Sequence, residues 1–123
     1  MSEIRATTIS DAAGTGPITL TKQQATKAWV NFSGTGTPAA RDSFNLSSIT
    51  DNSTGNYDVN YTSNMSATDY SVTTAVGQTS PFPIVQAYLI SISAGFVRLN
   101  TAQPGTADYD WGVIASATFG DLA

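Results

Sequence analysis

Residues 27–33 read Lys-Ala-Trp-Val-Asn-Phe-Ser, and residues 56–61 read Asn-Tyr-Asp-Val-Asn-Tyr. In both stretches apolar side chains occupy every second position, as Ala28, Val30 and Phe32 do in the first. Successive side chains of a β-strand point to opposite faces of a sheet, so this alternation is typical of a strand with one buried face. The two stretches therefore predict two half-buried strands.

The same signal recurs along the chain, as short runs of β-branched and aromatic residues between turn-forming segments. Five further strands are expected around 44–46, 70–76, 84–92, 96–99 and 111–119. The segments between them are rich in Gly, Asn, Asp, Ser and Pro. Glycine permits positive φ and Asn or Asp bonds its own backbone, so these segments predict turns. The sequence thus indicates an all-β protein, an antiparallel β-sandwich or barrel-like meander of about seven to eight strands with an extended N-terminal arm.

Length and composition are those of one folded domain. The chain has 123 residues, of which 41% are hydrophobic and only 11% are charged, while Ser and Thr make up about a quarter. That much apolar surface is enough to oppose chain entropy in a single core. Cysteine is absent, so packing and strand pairing alone must hold the fold.

The first twenty residues differ from the rest, and we predict an arm (1–26) followed by a single β domain (27–123). Four arm residues are suited to packing, namely Ile4, Ile9, Ile18 and Leu20. We expect the arm to anchor on its own domain, on a neighbouring copy or on another component; adding an edge strand to its own sheet is the simpler alternative. Residues 21–28 are the only helical candidate, at about two turns, and strand or coil fits them equally well.

Composition argues against several classes of function. Histidine and cysteine are both absent, which removes the usual catalytic base and the usual zinc ligands. The net charge is −4 and the five basic residues are scattered, so no basic footprint for nucleic acid is expected. No apolar run is long enough to span a bilayer, and the N-terminus lacks a signal-peptide pattern. We therefore expect no enzyme activity, no cofactor, no nucleic-acid partner and no membrane insertion.

Two acidic segments contain possible metal ligands. Residues 51–58 resemble a calcium loop in part, but the glycine lies at the fifth position and no Glu closes the loop, so a hairpin turn is favoured. Asp108 and Asp110 carry oxygen ligands suited to a hard cation, although a solvated loop edge explains them as well. No metal is expected at either segment.

Aromatic residues allow two interpretations, because they either build the core or form a surface on which a sugar stacks. The set comprises Trp29, Tyr57, Tyr61, Tyr70, Tyr88, Tyr109 and Trp111. Phe82, between two prolines, and Tyr109, between two aspartates, are the aromatics expected to be exposed. Exposed aromatics are favoured anchors of interfaces, so these two are the candidate surface-contact residues.

Residues 27–37, Lys-Ala-Trp-Val-Asn-Phe-Ser-Gly-Thr-Gly-Thr, and residues 41–61, from Arg-Asp-Ser-Phe-Asn-Leu to Asp-Val-Asn-Tyr, resemble a module of tail-fibre and other virion-surface proteins of tailed bacteriophages. The opening 6–16, Ala-Thr-Thr-Ile-Ser-Asp-Ala-Ala-Gly-Thr-Gly, and the Gly-Asp-Leu-Ala ending are similar to the same group. The resemblance covers residues 1–76 and 120–123, and these motifs carry no catalytic chemistry.

The resemblance implies an antiparallel β domain, commonly a homotrimer, that is exposed on the virion and takes part in host-surface attachment. Its partners would be other copies of the chain, other tail or capsid proteins, and a host-surface glycan or protein. A long repetitive shaft is missing from this sequence. The alternative is therefore a capsid decoration or head-fibre protein that stabilises the shell.

Overall fold

The computed structural model describes residues 25–77, 86–103, 105 and 107–123. Eight β-strands form this part of the chain. They are β1 (Thr26–Ser33), β2 (Ala39–Phe44), β3 (Leu46–Ser53), β4 (Asn56–Tyr61), β5 (Ser71–Gly77), β6 (Gln86–Ile92), β7 (Phe96–Ala102) and β8 (Val113–Phe119).

The strands form two four-stranded sheets. The first sheet has the order β2-β1-β8-β5, and the second has the order β3-β4-β7-β6. All six neighbouring pairs are antiparallel. The prediction of an antiparallel all-β fold is confirmed. Of the two predicted architectures, a β-sandwich and a barrel-like meander, the structure is consistent with the sandwich.

The core lies between the two sheets and is built from the alternating residues that the sequence indicated. Val30 and Phe32 of β1 are at most 1% exposed, and Tyr57 of β4 is fully buried. The Phe32 and Tyr57 rings meet edge to face, with centroids 5.3 Å apart. Further core residues are Ala28, Val59, Tyr61, Met65, Tyr70, Val97, Leu99, Trp111 and Ile114. Burial of this apolar surface is the main stabilising term of the fold.

Asn45 marks the corner where the chain passes from the first sheet to the second. Its φ is 56°, a left-handed conformation that Asn tolerates better than most residues. The Asn45 amide donates to the carbonyls of Lys27 and Ser63, and its Oδ1 accepts the Ser63 N–H. The prediction of one strand through 44–46 is therefore wrong, because Phe44 ends β2 and Leu46 begins β3.

The turn between β3 and β4 is a tight hairpin. The sequence of residues 51–58 favoured such a turn over a calcium loop. Asp51–Ser53 belong to β3, and Thr54 and Gly55 form the turn. Gly55 has a φ of +69°, which glycine adopts without steric cost. Its carbonyl accepts the Thr101 N–H at 2.7 Å, so the hairpin is attached to the end of β7.

The start of the described chain is a strand. Thr26–Ala28 belong to β1, so the helical interpretation of 21–28 is wrong for these residues, while 21–24 lie outside the described residues. The arm residues Ile4, Ile9, Ile18 and Leu20 also lie outside them. In the part of the chain that the structure describes, no helix is long and apolar enough to cross a membrane.

Candidate functional site

The outer face of the second sheet is mainly polar, and several of its side chains bond to one another. Arg98 and Asp58 lie opposite each other in β7 and β4. Arg98 donates from Nε to Asp58 Oδ1 at 2.6 Å and from Nη2 to Oδ2 at 2.8 Å, a bidentate pair. The Arg98 hydrogen bonds hold the pKa of Asp58 below its ordinary value of 3.8. Asn60 donates to Ser48 and Thr50 on the same face.

The outer face of the first sheet is different, because an aromatic pair leads into a row of small side chains. Trp29 lies opposite Phe44 in β2 and opposite Ala117 in β8, and Ala117 lies opposite Thr73 in β5. Trp29 is 37% exposed and Phe44 is 53% exposed. The row places two large apolar surfaces in solvent beside two small residues.

A second row runs parallel to the first and completes a shallow groove. Asn31 of β1 lies opposite Ala115 of β8, which lies opposite Ala75 of β5. Ala115 and Ala117 form the floor of the groove, because larger side chains flank them. Trp29 and Asn31 of β1 lie on one side, and Thr73 of β5 lies on the other. This outer-face groove has a volume of about 400 Å³ and is lined by Trp29, Asn31, Thr73, Ala75, Ala115 and Ala117 among others.

Arg41 of β2 fixes one margin of the outer-face groove. Its Nη1 donates to Asn31 Oδ1 at 3.1 Å, and its Nη2 donates to the carbonyl of Gly112. The guanidinium therefore orients the Asn31 amide and ties β2 to the segment before β8. Asp42, the next residue, is also exposed, so charges of both signs stand at this margin.

β6 exposes three large apolar side chains at an edge of the second sheet, on both faces of the strand, because Tyr88 lies opposite Asn100 and Leu89 lies opposite the buried Leu99. Tyr88 is 50% exposed, Leu89 37% and Ile90 46%. β6 pairs only with β7 among the described strands, and Ile90 falls in a register shift between Leu89 and Ser91. An edge strand whose outer backbone groups have no strand partner among the described residues, and which carries large apolar side chains, is prone to association.

The segment containing Tyr109 and Asp110 serves the fold. Asp110 Oδ1 accepts the Tyr57 hydroxyl at 2.5 Å and the Gly55 N–H at 2.7 Å. Burial and the Asp110 carboxylate raise the pKa of Tyr57 above its ordinary value of 10.0, so the hydroxyl stays protonated as the donor. Asp110 thus ties the loop before β8 to the β3–β4 hairpin.

The sequence-predicted contact residues are not brought together as a described site. Tyr109 is half-buried, with its ring centroid 4.8 Å from that of Trp111, so the prediction of an exposed side chain is met only in part. Phe82 lies outside the described residues. As for the cation alternative, no group of three or more acidic residues that could hold a metal occurs in the described ranges, and Asp110 is engaged as above.

Sequence reasoning did not select Trp29, although a signal for it was present. Ala28, Val30 and Phe32 face the core, so strand alternation places Trp29 on the outer face. A tryptophan at an outward position of a half-buried strand is a better indicator of a contact surface than an aromatic residue in a turn. Its neighbours in the groove carry no comparable signal.

Fold and surface together define an all-β sandwich module with one polar outer face, one grooved outer face and one apolar edge. Comparison with protein-family models, with curated proteins and with solved structures finds no match.

Proposed function

We propose that this chain is a structural protein of a bacteriophage particle, a homotrimeric module of tail-fibre or spike type that is exposed on the virion and used in host-surface attachment. The observation that carries the proposal is the apolar edge formed by Tyr88, Leu89 and Ile90 of β6. Such an edge in a small, weakly charged domain favours coverage by another chain. Identical copies arranged symmetrically provide that coverage.

The outer faces of the two sheets suit different contacts, one with solvent and the other with a binding partner. The outer face of the second sheet is mainly polar: Asp58 pairs with Arg98, and Asn60 bonds to Ser48 and Thr50, while the buried Asn100 Oδ1 has no partner among the described residues. A mainly polar face suits contact with solvent. The outer-face groove keeps Trp29 accessible beside Phe44, and tryptophan is enriched where proteins bind partners. Residues 27–37 and 41–61, on which the resemblance to virion-surface modules rests, contribute β1 and most of β2 to β4. The sandwich therefore has an edge for assembly and a face for attachment.

The test of assembly is the mass of the purified protein. One chain has a mass of 12.8 kDa, and we expect the wild-type protein to have the mass of three chains by light scattering. Ile90→Lys is expected to raise the trimer dissociation constant at least tenfold, because each interface would desolvate an ammonium group where an isoleucine packed. Ile90 is 46% exposed, so its replacement leaves the core intact.

Thr54→Lys is the matched control, since it adds the same charge at the exposed β3–β4 turn. It should remain trimeric with an unchanged dissociation constant. A wild-type protein that is monomeric at about 100 μM, or an Ile90→Lys variant that assembles as well as wild type, would contradict the proposed use of this edge.

A further inference from the structure

We propose that the outer-face groove binds a pyranose ring of a neutral glycan, stacked against the Trp29 indole. This inference rests on the proposed attachment function and names the class of ligand for it. It is carried by the shape of the groove, by its chemistry and by its charge.

The shape suits one ring lying along the sheet. The groove has a volume of about 400 Å³, within the range of small-molecule sites, roughly 300–1,000 Å³. Ala115 and Ala117 keep the floor low, and Trp29 stands beside them as a wall. A larger residue at either alanine would remove the depression without touching the core, because both positions alternate with the buried Ile114 and Ser116.

The wall supplies the apolar contact that a sugar requires. One face of a pyranose ring consists of C–H groups with a small positive charge, and the face of an indole carries the negative part of the aromatic quadrupole. Trp29 is partly embedded among its strand neighbours and 37% exposed. Its orientation is therefore restricted before a ligand arrives, which lowers the entropy that binding would cost.

Polar groups next to the wall match the hydroxyl groups of a sugar. Arg41 Nη1 donates a hydrogen bond to Asn31 Oδ1 at 3.1 Å. The Asn31 amide nitrogen is therefore left as the donor at the groove. Among the described residues, the Thr73 hydroxyl makes one long bond of 3.5 Å to the Ala117 carbonyl, so it retains capacity to donate and accept. A few placed polar groups within an apolar lining are the usual composition of a small-molecule site.

The charges in and around the groove favour a neutral ligand. None of the described residues that line the groove is ionisable, and at its margin Arg41 is followed directly by Asp42. An anionic sugar attracted by Arg41 would also meet the Asp42 carboxylate, and the protein carries a net charge of −4. The groove therefore complements an uncharged, hydroxyl-rich molecule better than an acidic polysaccharide or a phosphate.

The test is titration of the purified full-length protein with maltohexaose, cellohexaose, chitohexaose and a mannohexaose, with hexagalacturonate as the anionic comparison. Saturation-transfer NMR is the readout for every variant, and the change in tryptophan fluorescence, to which the buried Trp111 adds a background, is a second readout for proteins that retain Trp29. We expect at least one neutral oligosaccharide to bind with a dissociation constant of about 1 mM. Trp29→Ala and Ala117→Leu should each weaken that binding at least tenfold, the first by removing the wall and the second by filling the floor.

Leu122→Ala and Thr54→Lys are the controls, and both should bind as wild type does. Leu122 is an exposed apolar residue that lies outside the groove and outside β6, and Thr54 lies in the exposed β3–β4 turn of the other sheet. The inference is overturned if no neutral oligosaccharide binds the wild type, if hexagalacturonate binds at least as tightly, or if Trp29→Ala binds equally well.

The same samples separate this inference from the proposed function when their mass is also measured. A trimer that binds no neutral oligosaccharide would overturn the glycan site and leave the proposed assembly standing. A monomer that binds a neutral oligosaccharide through Trp29 would overturn the proposed assembly and leave the glycan site standing. If Trp29→Ala dissociates the trimer, the groove is an interface between copies, and the glycan site is overturned.

Discussion

Replacement of Gly55 by alanine is expected to lower the free energy of unfolding by about 4 kcal/mol, at the upper end of single-residue effects. Gly55 has a φ of +69°, which a residue with a Cβ adopts at a cost of roughly 1–2 kcal/mol. A Cβ would also overlap the Thr101 carbonyl oxygen and lie 2.8 Å from the Tyr109 nitrogen. Both neighbours are backbone atoms in the hydrogen bonds between β7 and the 107–111 segment, so neither moves without loss of pairing.

Gly36 provides the control for this prediction, because it has the same φ of +69° and an added Cβ would meet no atom of the described residues within 4 Å. Gly36→Ala should therefore cost only the conformational part, roughly 1–2 kcal/mol. Urea unfolding of the two variants measures the difference. Equal destabilisation would mean that the Gly55 hairpin does not lie against β7 as described.

Replacement of Trp111 by alanine is expected to cost about 4 kcal/mol, by loss of apolar contacts and creation of a cavity. Trp111 is completely buried, and its Nε1 donates to the Ala102 carbonyl at 3.2 Å. The Tyr109 ring covers it from the loop side. The substitution would therefore loosen the end of β7 and the entry into β8 together.

Trp29→Ala is the matched control, since the same side chain is removed from the outer face instead of the core. We expect a loss of about 1 kcal/mol there, because part of the ring is already in solvent. Thermal or urea unfolding of both variants tests the contrast. A Trp29→Ala variant as unstable as Trp111→Ala would contradict the assignment of Trp29 to an accessible face.

The strands were predictable where apolar residues at every second position all face the same core. β1 and β4 follow from Ala28, Val30 and Phe32 and from the alternation at 57–61, because each buried residue faces the same core. At Asn45 the same signal was misleading: Phe44 and Leu46 continue the period of two across a corner between sheets. Asn was the local clue, since it tolerates a left-handed conformation, but it does not distinguish a corner from an ordinary strand position.

The outer-face groove was not predictable, because it depends on which strands become neighbours. Trp29, Ala117 and Thr73 lie in one row only because β8 pairs with both β1 and β5. No local pattern encodes that order. The same limit applied to Tyr109, whose flanking aspartates suggested exposure although its ring packs on Trp111.

Reconstruction of the intact phage particle tests the central claim most directly. The account predicts density for three copies of the sandwich around a threefold axis at the tail tip or on projecting spikes, with the β6 edges inside the trimer and Trp29 on the outer surface. Density laid flat between capsomers would contradict attachment and indicate a decoration protein. Absence of the chain from the particle would contradict both.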